Sequence, residues 1–321
     1  YYYNDGLQNQ SVLYRTAQPG QAGEVFLDPN TLSEDGTVAL AAASFSKDGR
    51  YFAYAAAASG SDWVEIRVMD TETKALTEDR INWVKFSGAT WTSDSKGFYY
   101  SAYDAPKSGV YSSQNQFQKV YYHQLGTPQS ADRLVYEDKA HPLRYFSAWP
   151  SEDGKWLFII ASEGTSGTEI LYRKTSEKSF RTLLAGFAHD YAPVDCKEDN
   201  LYFVTNDGAL NYALKRISLN DPSKIETVIP EHERNLLEGV GTAGGYLFAS
   251  YLQDAQSKVA QYDYDGKLVR EVTLPAIGTV GGFSGEKEDT ELYYSLSNYT
   301  APATIYRYDI ASGESTLYKS P

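Results

Sequence analysis

The stretch Ser46-Lys47-Asp48-Gly49-Arg50-Tyr51-Phe52-Ala53-Tyr54 decides the fold. Asp followed by Gly makes a tight turn, because Asp bonds back to its own backbone and Gly accepts a left-handed conformation. The residues after the turn, and Glu65-Ile66-Arg67-Val68 beyond them, follow the period of two of a half-buried strand. Ser151-Glu152-Asp153-Gly154 repeats the turn. With its glycine, asparagine or threonine as anchor, the unit recurs at Gly49, Gly97, Gly154, Asn200, Gly245 and Thr290. The gaps are about 48, 57, 46, 45 and 45 residues, the period of a four-stranded propeller blade.

A chain of 321 residues holds about seven such units. The expected fold is therefore all-β: a seven-bladed β-propeller of four-stranded antiparallel sheets, with residues 1–321 as one domain. The expected blades are 1–38, 39–80, 81–140, 141–187, 188–234, 235–276 and 277–321. The third is longest because Lys107 to Gln118 reads as a polar surface loop. Only Pro230 to Leu237 has room for a helical turn or two. One twisted sheet cannot bury both faces, so neighbouring blades must cover one another.

Composition agrees. Aromatic residues make up 14% of the chain, led by 28 tyrosines, a bias toward strands. The net charge of −13 is spread along the chain, which argues against a nucleic-acid groove built of clustered Lys and Arg. No apolar run approaches the roughly 18 residues that span a membrane. The single cysteine, Cys196, permits no intrachain disulfide and no multi-cysteine zinc site; it suits a reducing, cytoplasmic setting, with a periplasmic or secreted one also open. The opening Tyr1-Tyr2-Tyr3 reads as mid-strand, as in a piece of a longer protein.

A search for chemistry finds no reaction centre and no cofactor motif. The G-x-S-x-G nucleophile turn is absent; Gly282-Phe283-Ser284-Gly285 and Gly164-Thr165-Ser166-Gly167 have the wrong spacing. The four histidines, His123, His141, His189 and His232, form no i, i+4 zinc pair and read as solvated or locally hydrogen-bonded. No catalytic residue and no metal ligand is expected.

Several strings, taken in order, resemble the propeller domain of the prolyl oligopeptidase family. Among them are Tyr3-Asn4-Asp5-Gly6-Leu7-Gln8-Asn9-Gln10, Ser59-Gly60-Ser61-Asp62-Trp63-Val64, Val84-Lys85-Phe86-Ser87 and Tyr121-Tyr122-His123-Gln124-Leu125-Gly126-Thr127. Pro230-Glu231-His232-Glu233 and Ser284-Gly285-Glu286-Lys287 continue the order toward the last blade. The resemblance implies a ring set over the active site of a serine peptidase that cleaves short peptides after proline. It implies as partner an α/β-hydrolase domain carrying the catalytic Ser, Asp and His, with short proline-containing peptides as ligands and neither nucleic acid nor membrane.

Position by position, the resemblance places Phe86 in the apolar pocket for the substrate residue two positions before the proline, with Tyr145 lining the same pocket. A peptide-contacting Arg and a Cys three residues later align with Ser162 and Thr165, so the Arg is missing here. Asp62 matches an Asp that meets a cation at the hydrolase interface. Read without the family, Phe86 is a core strand residue, Asp62 a turn residue, and Trp63, Trp91 and Trp149 inter-blade packing. Two other classes remain open: a stand-alone interaction scaffold, marked by an apolar patch unrelated to any hydrolase, and a propeller glycosidase, marked by converging axial carboxylates.

Overall fold

The turn at Ser46 is built by its own side chains. Gly49 N–H donates to the Ser46 carbonyl at 2.9 Å, Ser46 Oγ donates to Asp48 Oδ1 at 2.6 Å, and Tyr51 N–H closes onto Ser46 Oγ at 2.9 Å. Gly49 takes a φ of 71°, which needs no Cβ accommodation. The Ser151 turn repeats the pattern: Gly154 N–H to the Ser151 carbonyl at 2.9 Å, Ser151 Oγ to Asp153 Oδ1 at 2.6 Å, and Trp156 N–H to Ser151 Oγ at 2.9 Å.

These turns are the first hairpins of two different sheets. A computed structural model describes residues 1–106, 109 and 115–320, in two compact units, Tyr1–Phe187 and Ala188–Pro321. In the first unit, sheet one holds β1 (Tyr2–Tyr3), β2 (Val12–Arg15) and β3 (Glu24–Leu27). Sheet two holds β4 (Val38–Phe45), β5 (Tyr51–Ala58), β6 (Trp63–Asp70) and β7 (Leu76–Lys85). Sheet three holds β8 (Thr90–Trp91), β9 (Gly97–Ala102), β10 (Lys119–Gln124) and β11 (Arg133–Glu137). The pair Val84↔Ala102 joins sheets two and three at one seam. Sheet four holds β12 (Tyr145–Pro150), β13 (Trp156–Ser162), β14 (Thr168–Lys174) and β15 (Arg181–Leu184).

The second unit repeats the plan three times. Its sheets are β16 (Tyr191–Lys197) to β19 (Ile225–Ile229) through β17 (Asn200–Thr205) and β18 (Ala213–Ser218); β20 (Leu236–Ala243) to β23 (Leu268–Glu271) through β21 (Tyr246–Gln253) and β22 (Gln256–Tyr262); and β24 (Thr279–Gly282) to β27 (Ser315–Lys319) through β25 (Glu291–Asn298) and β26 (Ala301–Asp309). All pairings are antiparallel, as expected, and every anchor residue lies at the first hairpin of its sheet.

The core lies between sheets. Ile66, Val68, Ile81 and Val84 of sheet two pack on Trp91, Phe98 and Tyr100 of sheet three. Tyr99 and Val120 of sheet three meet Phe146, Leu157 and Ile159 of sheet four. In the second unit, Phe248 and Val259 meet Phe283, Leu292 and Tyr294 in the same way. Burial of these facing side chains stabilises each junction by roughly 25 cal/mol per Å² of apolar surface covered.

Several local expectations change. Sheet one has three strands among the described residues. Strand β7 runs to Lys85, past the expected blade boundary at 80. Pro230 to Asn235 contains no helix, and β20 begins at Leu236. At the β8–β9 hairpin the left-handed place belongs to Ser95, φ 58°, with Asp94 accepting from Thr92 Oγ1 at 2.7 Å. Gly97 instead opens β9, where a Cβ would strike the His123 carbonyl. Of the loop expected over Lys107 to Gln118, residues 107, 108 and 110–114 lie outside the described residues. Its last residue, Gln118, is buried rather than at the surface.

Candidate functional site

Strict alternation along β7 would put Ile81, Trp83 and Lys85 on one face. A bulge intervenes: Val64 pairs with Val84, but Ile66 pairs with Ile81, so Asn82 and Trp83 together oppose Glu65. Trp83 takes a φ of 62°, and its Asn82 neighbour is held by Gln129, which accepts the Asn82 N–H at 2.9 Å and donates to its carbonyl at 3.0 Å. The slip returns Val84 to the core beside Ile81. Lys85 pairs with Trp63 at the start of β6, so Trp83, Lys85 and Phe86 lie at the sheet end opposite the β4–β5 turn.

Phe86 is 63% exposed with a φ of 55°, a left-handed conformation that costs an aromatic residue about 1–2 kcal/mol. Exposure and strain together set this side chain apart from the apolar residues of the core. Beneath it the Lys85 side chain is buried. Its Nζ lies 5.5 Å from the Phe86 ring and 5.0 Å from the Trp63 ring. Asp62 Oδ2 stands 3.7 Å from the same Nζ. Trp63 in turn meets Trp83 edge-on at 5.8 Å and Tyr103 at 6.1 Å. Burial raises the Tyr103 phenol above its ordinary pKa, and nearby Tyr145 pushes the same way.

Gln118 ties this end to the next sheets. It is 1% exposed; its Nε2 donates to the Lys85 carbonyl at 3.0 Å, and its Oε1 accepts the Phe146 N–H at 2.6 Å. Phe146 follows Tyr145, which pairs with Ser162 across β12 and β13 and donates its hydroxyl to the Gly164 carbonyl. Thr165 is exposed in the bend just beyond. The structure thus brings Asp62 and Phe86 together around Lys85. It gathers Tyr145, Ser162 and Thr165 on the β12–β13 end, linked to the first group through Gln118 and Tyr103. Ser162 carries no cation; next to it Glu163 holds Arg144, Nε to Oε1 2.5 Å.

A second buried cation lies in the same sheets. His123, on β10, is 0% exposed, with Nδ1 2.7 Å from Asp132 Oδ1 and Nε2 2.9 Å from Asp79 Oδ1. Burial alone would pull its pKa down, but hydrogen bonds and charge from Asp132 and Asp79 push it up to about 9. The carboxylates are themselves held. Asp79 accepts from Thr77 Oγ1 at 2.7 Å and from Gly126 N–H at 2.6 Å, and Asp132 accepts from the Tyr100 hydroxyl at 2.7 Å. Against its burial, the His123, Thr77 and Gly126 bonds keep the Asp79 carboxyl below its ordinary pKa.

The other histidines are local. His141 Nδ1 lies 2.7 Å from Asp138, His189 Nε2 3.6 Å from Asp207, and His232 Nδ1 accepts from Asn235 N–H at 3.0 Å. Among the described residues no histidine hydrogen-bonds a serine or cysteine, and no three His, Cys, Asp or Glu side chains gather to hold a metal ion. Trp91 packs on Phe98 at 5.3 Å and Tyr51 at 6.4 Å, as expected of a junction residue. Trp63 packs between sheets on Tyr103 but also walls the Lys85 ammonium. Sequence reasoning passed over Lys85, Trp83, Tyr103 and Gln118. Only Lys85, next to Phe86 in the quoted string, offered a signal.

Comparison with known proteins covers the whole chain. The family model described as "Prolyl oligopeptidase, N-terminal beta-propeller domain" matches residues 1–321. A prolyl endopeptidase of Elizabethkingia miricola is 44% identical over 100% of this chain and 46% of its own length. One of Elizabethkingia meningoseptica is 43% identical over 99% of this chain and 45% of its own. Among solved structures, prolyl oligopeptidase B from Galerina marginata, bound to a 35mer hydrolysis and macrocyclization substrate, aligns with a TM-score of 0.91 at 29% identity over 99% of this chain and 48% of that one. The chain spans about half the length of the curated relatives it matches, and what it matches there is the non-catalytic propeller region.

Proposed function

Because the chain belongs to the prolyl oligopeptidase family, as an N-terminal β-propeller domain, we propose that it gates and lines the active site of a serine peptidase that cleaves short peptides after proline. The observation that supports this most is Phe86, a strained aromatic side chain presented at the end of β7 and backed by a buried ammonium. An apolar wall there takes a substrate side chain remote from the scissile bond. Binding energy gained so far from the reacting atoms serves to orient them. Tyr145 extends the wall, Ser162 and Thr165 flank it, and Asp62 meets the α/β-hydrolase domain that supplies nucleophile, base and oxyanion hole. The chain itself performs no proton or acyl transfer and needs no cofactor.

The reading takes residues 1–321 as a single propeller domain, acting in the cytoplasm on peptides small enough to pass it. One cooperative melting transition would support the single domain, and two separated transitions would oppose it. The purified chain should not hydrolyse a proline-containing chromogenic peptide, whereas the parent peptidase should. There, Phe86→Ala should lower kcat/KM about tenfold, through kcat as well as KM, because remote binding that orients the reacting atoms is lost. Cleavage by the 321-residue chain alone, or an unchanged kcat/KM, would refute the reading.

A further inference from the structure

A buried ammonium ordinarily ends on a carboxylate or on several hydrogen-bond acceptors, since leaving it bare is costly. Lys85 has little of either. Its Nζ donates to no acceptor among the described residues, and its one carboxylate, Asp62, stays at 3.7 Å with a side chain 68% exposed. Its remaining neighbours are the faces of Trp63 and Phe86. These rings attract the cation but accept no conventional hydrogen bond, and they thin out the water that would screen it. The ammonium therefore keeps donor capacity beside a rim, Asp62 and Phe86, that is open to solvent. The net charge of −13 disfavours free anions, so a second carboxylate, beyond that of Asp62, comes to Lys85 most readily as part of a bound molecule.

We propose that Lys85 is a specificity residue that receives the carboxylate of an Asp or Glu side chain in the bound peptide, on the N-terminal side of the scissile proline. Asp62 is its internal competitor: it occupies the ammonium loosely and gives way when a better placed carboxylate arrives. The inference rests on the peptidase reading above and adds to it a preference for acidic residues near Phe86.

The test uses the full-length peptidase and pairs of chromogenic prolyl peptides with Glu or Gln two, three or four residues before the scissile bond. At one of these positions the wild type should favour Glu by about fivefold in kcat/KM, the scale of one partly shielded ion pair. Lys85→Met should bring that ratio to about one, and Lys85→Arg should keep it. A lysine that merely props the fold would lower kcat/KM for the Glu and Gln peptides alike and leave the ratio unchanged. A ratio near one at every position in the wild type, or one indifferent to Lys85→Met, overturns the inference while prolyl cleavage upholds the function. Failure to cleave any prolyl peptide overturns both.

Discussion

His123 and Lys85 are both buried cations beside β7, and they are held in opposite ways. His123 spends both ring nitrogens on carboxylates that are further fixed by Thr77, Gly126 and Tyr100. Lys85 leans on two aromatic faces and one mostly exposed carboxylate. A saturated buried charge has nothing left to offer a ligand and acts as a tie between sheets two and three. An unsaturated one at a solvent-facing rim retains binding capacity. The difference separates a spent charge from an available one within one sheet pair, without appeal to residue type.

The strongest way to break this contrast is to remove His123. His123→Phe leaves Asp79 and Asp132 facing each other without their shared cation, and should destabilise the chain by about 3–5 kcal/mol in urea melts. Replacing both aspartates by asparagine in that background should restore part of the loss; a variant within about 1 kcal/mol of wild type would mean the network is idle.

Next in size is the pH dependence. The folded pKa of His123, about 9, lies above its ordinary value of 6.5, so its contribution is complete below about pH 6.5 and lost as pH rises through about 9. The loss should be on the order of 3 kcal/mol relative to His123→Gln, whose melting curve should lack that limb. Equal slopes for the two proteins would contradict the assignment.

Smaller effects belong to the open rim. Phe86→Gly relieves a left-handed φ of 55°, and should leave the stability of the chain unchanged or raise it by about 1 kcal/mol. A destabilisation above about 1 kcal/mol would recast Phe86 as core. Smallest is Asp62→Asn, which should shift stability by less than about 0.5 kcal/mol, because an exposed partner at 3.7 Å holds Lys85 weakly. A larger loss would show that Lys85 is bound to its carboxylate as firmly as His123 is to its pair.

The turn end of the molecule was legible because its chemistry is local. The bonds that close the hairpins at Ser46 to Tyr51 and Ser151 to Trp156 run between residues within a few positions of one another, so the strings alone give the sheet starts. Ser95 escaped notice because a serine in the left-handed place leaves no sign that a nearby glycine does not outshine. Phe86 and Asp62 were legible only through family resemblance; by residue type they read as core and turn. Lys85 and Gln118 were passed over because lysine and glutamine ordinarily end in water.

The amino-acid order by itself determined the antiparallel sheets, their repeat, and the lack of a nucleophile turn, all of which depend on neighbours in sequence. The tertiary structure decided which charges are spent and which remain available. Asp79, His123 and Asp132 meet only after sheets two and three are joined. Lys85 reaches Trp63 and Asp62 only because one bulge at Asn82 and Trp83 reverses the facing of the residues that follow. A single-residue slip in register turns side chains to the other face, and nothing in the period-two pattern announces where it will occur.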